Sequence, residues 1–167
     1  MRKRPIPLSP FPDNRHDHAA CREQALLQAE TYCRRHGLRL TSLRRRVLEL
    51  VWSSHQPVGA YTLLEQLVTE GRKAAPPTVY RSLDFLLNHG LIHRIASLNA
   101  YVGCNHPGSD HEAQFFICVG CGQAAEIGDP SIESAIAQDA KALGFSIASQ
   151  TIEVAGTCAR CREAKRT

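Results

Sequence analysis

The sequence predicts an α+β protein in which an N-terminal winged helix-turn-helix domain precedes a small α/β domain with a structural zinc site. Three observations predict this arrangement. Four helix-prone segments are followed by two short strand-like runs; a strand, strand, helix, strand order comes next; and two Cys-x-x-Cys pairs lie in that second part. A chain of 167 residues has room for one medium domain or two small ones.

The helices of the first domain follow from apolar residues at helical spacing and from residues that favour helix ends. Gly37 ends the first helix, and two prolines open the fourth. In the third helix the spacing predicts that Leu64, Leu67 and Val68 are buried. The predicted helices are 19–36, one starting at Thr41 or Ser42, 60–70 and 75–88, and the predicted hairpin strands are 91–95 and 99–103.

The second domain is predicted from a similar combination of signals. Asp129 is a suitable N-cap for a helix with Pro130 in its first turn. This helix is predicted over 129–143, and the strands over 113–119, 123–127 and 145–154. We predict a disordered tail over residues 1–18, the winged-helix domain over 19–103, a hinge over 104–112 and the small domain over 113–167.

Charge is distributed unevenly along the chain. Residues 1–100 carry a net charge of +7 and residues 101–167 carry −3. A basic domain suits a polyanion, because each neutralised phosphate releases counterions, although many solvated surfaces are also basic. Prolines interrupt the start of the chain, and no stretch approaches 18 apolar residues. We therefore expect a cytoplasmic protein with no membrane contact and no organic cofactor.

The seven cysteines indicate metal chemistry rather than disulfides in a cytoplasmic chain. Two Cys-x-x-Cys pairs can supply the four thiolates that a closed, tetrahedral zinc site requires. A redox pair is the alternative, but it is expected between a strand and a helix. For Cys21 and Cys33, packing in the first helix is a better interpretation than a ligand role. The predicted structural zinc ligands are Cys118, Cys121, Cys158 and Cys161.

A second group of potential ligands lies around the predicted hinge. These are His93, Cys104, His111 and Glu126, which come from the wing, the hinge and the small domain. A metal bound by all four would hold the two domains in one orientation and shift a population between conformations. Each residue alone also has an ordinary explanation, as a solvated polar group or a buried thiol.

The fourth helix is the predicted recognition helix. In a helix-turn-helix, an arginine at this position can pair with guanine in the major groove, which Arg81 is placed to do. Thr78 and Tyr80 are further candidate contacts, although Tyr80 fits equally well at the edge of the core. Arg44 and Arg45, in an arginine run on the second helix, suit backbone phosphates or a solvated face.

Two other classes of protein share some of these features. A zinc hydrolase or nucleobase deaminase needs an open metal position and a His-x-Glu pattern, whereas here Glu112 directly follows His111. The second cysteine pair would also close the site, so we do not expect an enzyme. A zinc-ribbon adaptor without DNA affinity would leave the basic first domain unexplained.

Taken together, these motifs resemble the ferric uptake regulator family, and specifically its zinc uptake regulator branch. The features that carry the resemblance are the segment Pro76-Pro-Thr-Val-Tyr-Arg81, His111 seven residues before Cys118, and the two cysteine pairs. The resemblance covers about residues 22–162. It does not cover the proline-rich N-terminal extension.

The resemblance implies a homodimeric, zinc-activated repressor that binds operator DNA of zinc-uptake genes and dimerises through its second domain. It implies one structural zinc, held by the four paired cysteines, and one regulatory zinc, held by His93, Cys104, His111 and Glu126. It also implies that Tyr61 and Arg81 contact purines. The thiol of Cys104 favours zinc. An iron-, manganese- or peroxide-responsive regulator is the alternative, and His106 and Asp110 are rival ligands.

Overall fold

The computed structural model describes residue 11 and residues 17–105, 107–108 and 113–164. The chain divides into two compact units, one within residues 12–109 and the other within residues 110–167. Helices with a small antiparallel sheet form the first unit, and a mixed sheet with helices forms the second, so the predicted α+β class is confirmed. Among the described residues, no helix has the length and apolar character needed to cross a membrane.

The N-terminal unit consists of four helices and a three-stranded antiparallel wing. Its helices are α1 (His18–Arg35), α2 (Ser42–Val51), α3 (Ala60–Thr69) and α4 (Pro76–Asn88). Its strands are β1 (Val58–Gly59), β2 (Ile92–Ile95) and β3 (Ala100–Gly103), in the order β1-β3-β2. The two-residue strand β1 was not predicted, because two residues carry no alternation of apolar and polar side chains.

Side-chain caps mark the starts of the first two helices, α1 and α2. The carboxylate of Asp17 accepts hydrogen bonds from the backbone N–H of Ala19 at 3.1 Å and of Ala20 at 3.2 Å. Helix α1 therefore starts at His18, the last residue of the predicted tail; of the remaining tail, only residues 11 and 17 are described. The hydroxyl of Thr41 caps α2 in the same way, which confirms the predicted start of that helix.

The core of this unit is formed by the inner faces of the four helices and by the wing. On α3 the buried residues are Ala60, Leu63 and Leu67, spaced by three and four positions along one face. The prediction of a buried Val68 was wrong, since 55% of its surface is exposed, and Leu64 is only partly buried. The apolar stripe is rotated by one residue from the predicted one, because the neighbouring helices α2 and α4 decide which face is covered.

The C-terminal unit is built on a three-stranded mixed sheet. Its elements are β4 (Ala113–Cys118), β5 (Ala124–Ile127), α5 (Pro130–Ala142), β6 (Thr151–Gly156) and α6 (Ala159–Ala164). The sheet order is β5-β4-β6, with β4 antiparallel to β5 and parallel to β6. The carboxylate of Asp129 caps α5, as predicted.

The last strand and the last helix differ from the prediction. The strand predicted over 145–154 lies at Thr151–Gly156, and Phe145 and Ile147 are exposed outside it. The apolar residues after α5 suggested an early start, whereas pairing with β4 determines the true register, which joins Ala113 to Thr151 and Cys118 to Gly156. Helix α6, only six residues long, was not predicted.

Gly103, at the end of β3, allows a close approach by the indole of Trp52. A Cβ atom at position 103 would lie 2.0 Å from Cε2 of Trp52. We predict that Gly103→Ala destabilises the N-terminal unit by about 1–3 kcal/mol, because the buried indole must move. Urea unfolding followed by far-UV circular dichroism measures this loss.

Gly59→Ala is the matched control for this prediction. A Cβ atom at Gly59 would have no neighbour within 4 Å, and its φ of −76° suits any residue. We expect its stability to stay within about 1 kcal/mol of that of the unsubstituted protein. Equal unfolding midpoints for the two variants would contradict the proposed clash.

Candidate metal centres and nucleic-acid interface

The four paired cysteines meet at one end of the C-terminal sheet. Cys118 is the last residue of β4, and Cys121 lies in the tight turn that follows it. Cys158 and Cys161 lie just after β6, at the start of and within α6. Because β4 and β6 are parallel and neighbouring, their carboxyl ends lie side by side, and both pairs reach the same place.

The geometry of this cysteine cluster suits a tetrahedral metal. All four Sγ atoms lie within 4.8 Å of one another, and those of Cys121 and Cys158 are 3.9 Å apart. Sulfur atoms about 2.3 Å from a tetrahedral zinc ion are separated by about 3.8 Å. The arrangement is therefore compact enough to hold Zn²⁺ with four thiolates and leaves no coordination position for a substrate.

Backbone N–H groups near the two cysteine pairs donate hydrogen bonds that stabilise a thiolate at Cys118. The N–H of Cys158 donates to Sγ of Cys118 at 3.3 Å. Hydrogen bonds from this N–H, and from those of Cys121 and Gly120, lower the pKa of the Cys118 thiol to about 6. A thiolate, which is the metal-binding form, is thus favoured at Cys118 near neutral pH.

Cys161 shows the opposite effect, which comes from crowding. Hydrogen bonding to Cys158, with burial and the nearby sulfurs, raises the pKa of the Cys161 thiol to about 12. Sulfur atoms within 4.8 Å of one another repel when they are charged, so a cation among them would favour several thiolates together. Nearby, Arg160 donates a hydrogen bond to Gln123 at 3.3 Å, and hydrogen bonding to Cys121 raises the pKa of its guanidinium.

We predict that Cys118→Ser or Cys158→Ser lowers the zinc content by one equivalent per chain and opens the C-terminal unit. The reason is that ligand binding supplies folding free energy in a small domain. Zinc analysis of the purified protein and hydrogen exchange of the β4 amides measure the two effects. Cys21→Ser, on helix α1, is the control and should change neither; a zinc content in Cys118→Ser equal to that of the unsubstituted protein would refute the assignment.

A second pair of candidate ligands lies on the wing. His93 is on β2, and Cys104 follows β3 directly, held by a hydrogen bond from its N–H to the carbonyl of Leu91 at 3.1 Å. The antiparallel register places His93 opposite Val102, so a ring nitrogen of His93 and Sγ of Cys104 lie within 4.8 Å. Cys104 is buried and His93 half-buried.

The other predicted regulatory ligands are not part of this unit's described structure. Glu126 is a buried residue of β5, in the C-terminal unit. His111 lies outside the described residues, as do the rival ligands His106 and Asp110. The wing therefore provides two of the four predicted ligands, one nitrogen and one sulfur.

The predicted recognition helix exposes polar and aromatic side chains. On α4, Arg81 and Tyr80 are exposed, and Thr78 is half-buried. Tyr61, at the start of α3, is 69% exposed. Tyr61 and Tyr80 line one small indentation, together with Pro76. This part of the surface offers the guanidinium of Arg81 and the phenol groups of Tyr61 and Tyr80 to a ligand.

The arginine run on α2 makes contacts that the sequence did not indicate. Arg44 stacks on the ring of Phe85, 3.7 Å from its centroid. Arg45 forms ion pairs with Glu30 of α1, at 2.8 Å, and with Glu49. These contacts hold α2 against its neighbours; phosphate binding by Arg44 and Arg45 stays a prediction.

Arg46 extends this ion-pair network to the end of α3. Its guanidinium donates to the carboxylate of Glu70 at 2.9 Å and to Glu49 at 2.7 Å. Hydrogen bonding between the two partners raises the pKa of Arg46 and lowers that of Glu70. Glu30 and Glu70 lie 15 and 24 residues away from the arginines that they bind, so no local pattern could have revealed them. Glu49 lies only three and four residues from its two arginines, at helical spacing.

A winged-helix unit with a histidine and a thiol on its wing, followed by a four-cysteine unit, defines a metal-binding protein of the winged-helix class. Residues 35–155 match the model of the ferric uptake regulator family, and the chain belongs to that family. The zinc uptake regulation protein of Escherichia coli strain K12 is 38% identical over 142 residues, which are 84% of this chain and 83% of that protein.

Two solved structures are similar to this chain over most of its length. A zinc uptake regulator complexed with zinc and DNA has a TM-score of 0.83 at 37% identity, covering 87% of this chain and 98% of that one. The holo form of XcZur has a TM-score of 0.78 at 42% identity, covering 84% and 98%.

Proposed function

We propose that the protein is a zinc-responsive transcriptional repressor, whose zinc-loaded homodimer binds operator DNA and represses zinc-uptake genes. The observation that carries this proposal is that one compact unit contains both the exposed recognition helix and a His93–Cys104 ligand pair. Helix α4 ends at Asn88 and β2 begins at Ile92, so only a short connection that contains Leu91 separates them. A metal bound by His93 and Cys104 would therefore hold the strand that directly follows the recognition helix. The similarity to a zinc uptake regulator bound to zinc and DNA supports the same function.

The proposed regulatory zinc is held by His93, Cys104, His111 and Glu126, in addition to the structural zinc of the cysteine cluster. One thiolate, two imidazoles and a carboxylate make a donor set that zinc accepts in tetrahedral geometry. The buried thiol of Cys104 makes the set softer than one of imidazole and carboxylate alone, which favours zinc over iron or manganese.

Homodimerisation through the C-terminal unit is supported by two exposed apolar side chains of its sheet. Phe116 on β4 and Val154 on β6 are paired neighbours, and each is 43% exposed. The rest of β4 from Gln114 to Cys118 is buried. An exposed aromatic ring beside an exposed valine favours a protein–protein interface at this point of the sheet.

We infer a cytoplasmic protein whose partners are double-stranded DNA and a second copy of itself. We do not assign an enzymatic activity, because four thiolates would leave the zinc of the cysteine cluster no open position. Binding to an operator selected from random duplexes, titrated with free Zn²⁺, Fe²⁺ and Mn²⁺ in turn, tests the proposal; a stronger response to iron or manganese would identify a different regulator of the same family.

We predict that Cys104→Ser leaves a folded dimer that keeps its structural zinc but no longer responds to added zinc in operator binding, because the regulatory site has lost one of its four ligands. Zinc can shift the protein towards its DNA-binding conformation only as far as it binds that conformation more tightly than the other one. Removal of a regulatory ligand reduces this difference in affinity. Fluorescence anisotropy with labelled operator at buffered zinc concentrations measures the shift. Cys33→Ser, which alters an equally buried cysteine of α1, should keep the original zinc dependence; an unshifted Cys104→Ser would place the sensor elsewhere.

We predict different consequences for two arginines at the DNA surface. Arg81→Ala should weaken operator binding by about 1–3 kcal/mol and reduce base preference, because a base-edge contact is lost. Arg45→Ala should weaken operator and random DNA alike and reduce the salt dependence, as expected for a phosphate contact. Titrations of both duplexes at several salt concentrations distinguish the roles.

The ion pairs of Arg45 require one further measurement. Thermal unfolding of Arg45→Ala separates a loss of phosphate binding from a loss of its contacts with Glu30 and Glu49. Unchanged salt dependence together with a lower unfolding temperature would assign Arg45 to the fold alone. Equal losses on operator and random DNA for Arg81→Ala would remove it from base recognition.

A further inference from the structure

We propose that His18 and His55 form a separate transition-metal site in the N-terminal unit, a two-histidine site for a cation such as Zn²⁺. His18 is the first residue of α1, and His55 lies in the loop between α2 and β1. Nδ1 of His18 and Nε2 of His55 are 3.1 Å apart, although 37 residues separate them in the chain. This histidine pair is independent of the cysteine cluster and of the ligands proposed for regulation.

The distance between the two nitrogens is the main argument. Two imidazole nitrogens that each lie about 2.0–2.1 Å from a tetrahedral zinc ion are about 3.3–3.4 Å apart. The observed 3.1 Å needs a change of only a few tenths of an ångström. The rings meet edge to face, with centroids 4.6 Å apart and planes at 64°, so neither ring lies over the other and blocks its in-plane nitrogen.

The chemistry of the pair selects the class of cation. Imidazole nitrogen suits Zn²⁺, Cu²⁺ and Ni²⁺ better than Mg²⁺ or Ca²⁺, which prefer oxygen. Asp17, which caps α1 directly before His18, adds a negative charge close to the site. Two protein ligands leave positions for water, so we expect weaker binding here than in a site with four thiolates.

A cation at the histidine pair would connect two parts of the winged-helix unit. It would hold the start of α1 against the loop that leads into β1, the short edge strand of the wing. Anything that binds the folded state and not the unfolded one stabilises the fold. Metal bound by His18 and His55 would therefore stabilise the N-terminal unit, and it would need no ligand from the C-terminal unit.

Cadmium binding to the full-length protein tests the proposal. We would load the protein with ¹¹³Cd²⁺ with its Cys104 thiol intact, so that the regulatory site keeps a sulfur ligand and is distinct from a site of nitrogen and oxygen alone, and record ¹¹³Cd NMR spectra. Cadmium bound by nitrogen and oxygen resonates well apart from cadmium bound by four thiolates. We expect one nitrogen-type resonance and one additional equivalent of cadmium per chain, both lost when either His18→Ala or His55→Ala is added.

The control is His36→Ala, which alters another histidine of the same unit, stacked on Tyr32. It should retain the resonance and the extra equivalent. Added Zn²⁺ should also raise the unfolding temperature of the protein that retains both histidines more than that of His55→Ala. If both histidine variants keep the resonance, or if only one of them loses it, the pair is a hydrogen-bonded contact and the proposal is overturned.

Discussion

Four thiol groups within 4.8 Å of one another cannot all carry a negative charge unless a cation lies among them. The opposite pKa shifts of Cys118, to about 6, and Cys161, to about 12, express this constraint. The sheet of the C-terminal unit is arranged to satisfy it, because the parallel pairing of β4 and β6 brings the two cysteine pairs to one end. This unit has few buried apolar side chains of its own among the described residues, so we expect metal binding by the cluster to contribute much of its stability.

Structural features that depend on a few neighbouring residues could be predicted from the sequence. The caps at Thr41 and Asp129 and the cysteine cluster follow from short spacings, and the structure contains them where they were expected. Features decided by distant partners were not predictable. The position of β6 depends on its pairing with β4, and the buried face of α3 depends on the helices that cover it.

The candidate sites show the same division. His93 and Cys104 could be singled out because a hairpin places the end of one strand opposite the start of the other. The pairing of the α2 arginines with Glu30 and Glu70, and the meeting of His18 with His55, join segments 15 to 37 residues apart, which no periodicity connects. Residue types alone suggested phosphate contacts for the arginines, whereas the fold also gives them a role between helices.

The packing of Trp52 against Gly103 gives the protein a built-in optical probe. Trp52 is the one tryptophan of the sequence, it is 5% exposed, and the residue it packs against is directly followed by Cys104. Any movement of the wing that accompanies metal capture must alter the surroundings of this indole. The intrinsic emission of the unlabelled protein therefore reports on the wing in real time, in stopped-flow experiments that need no attached dye.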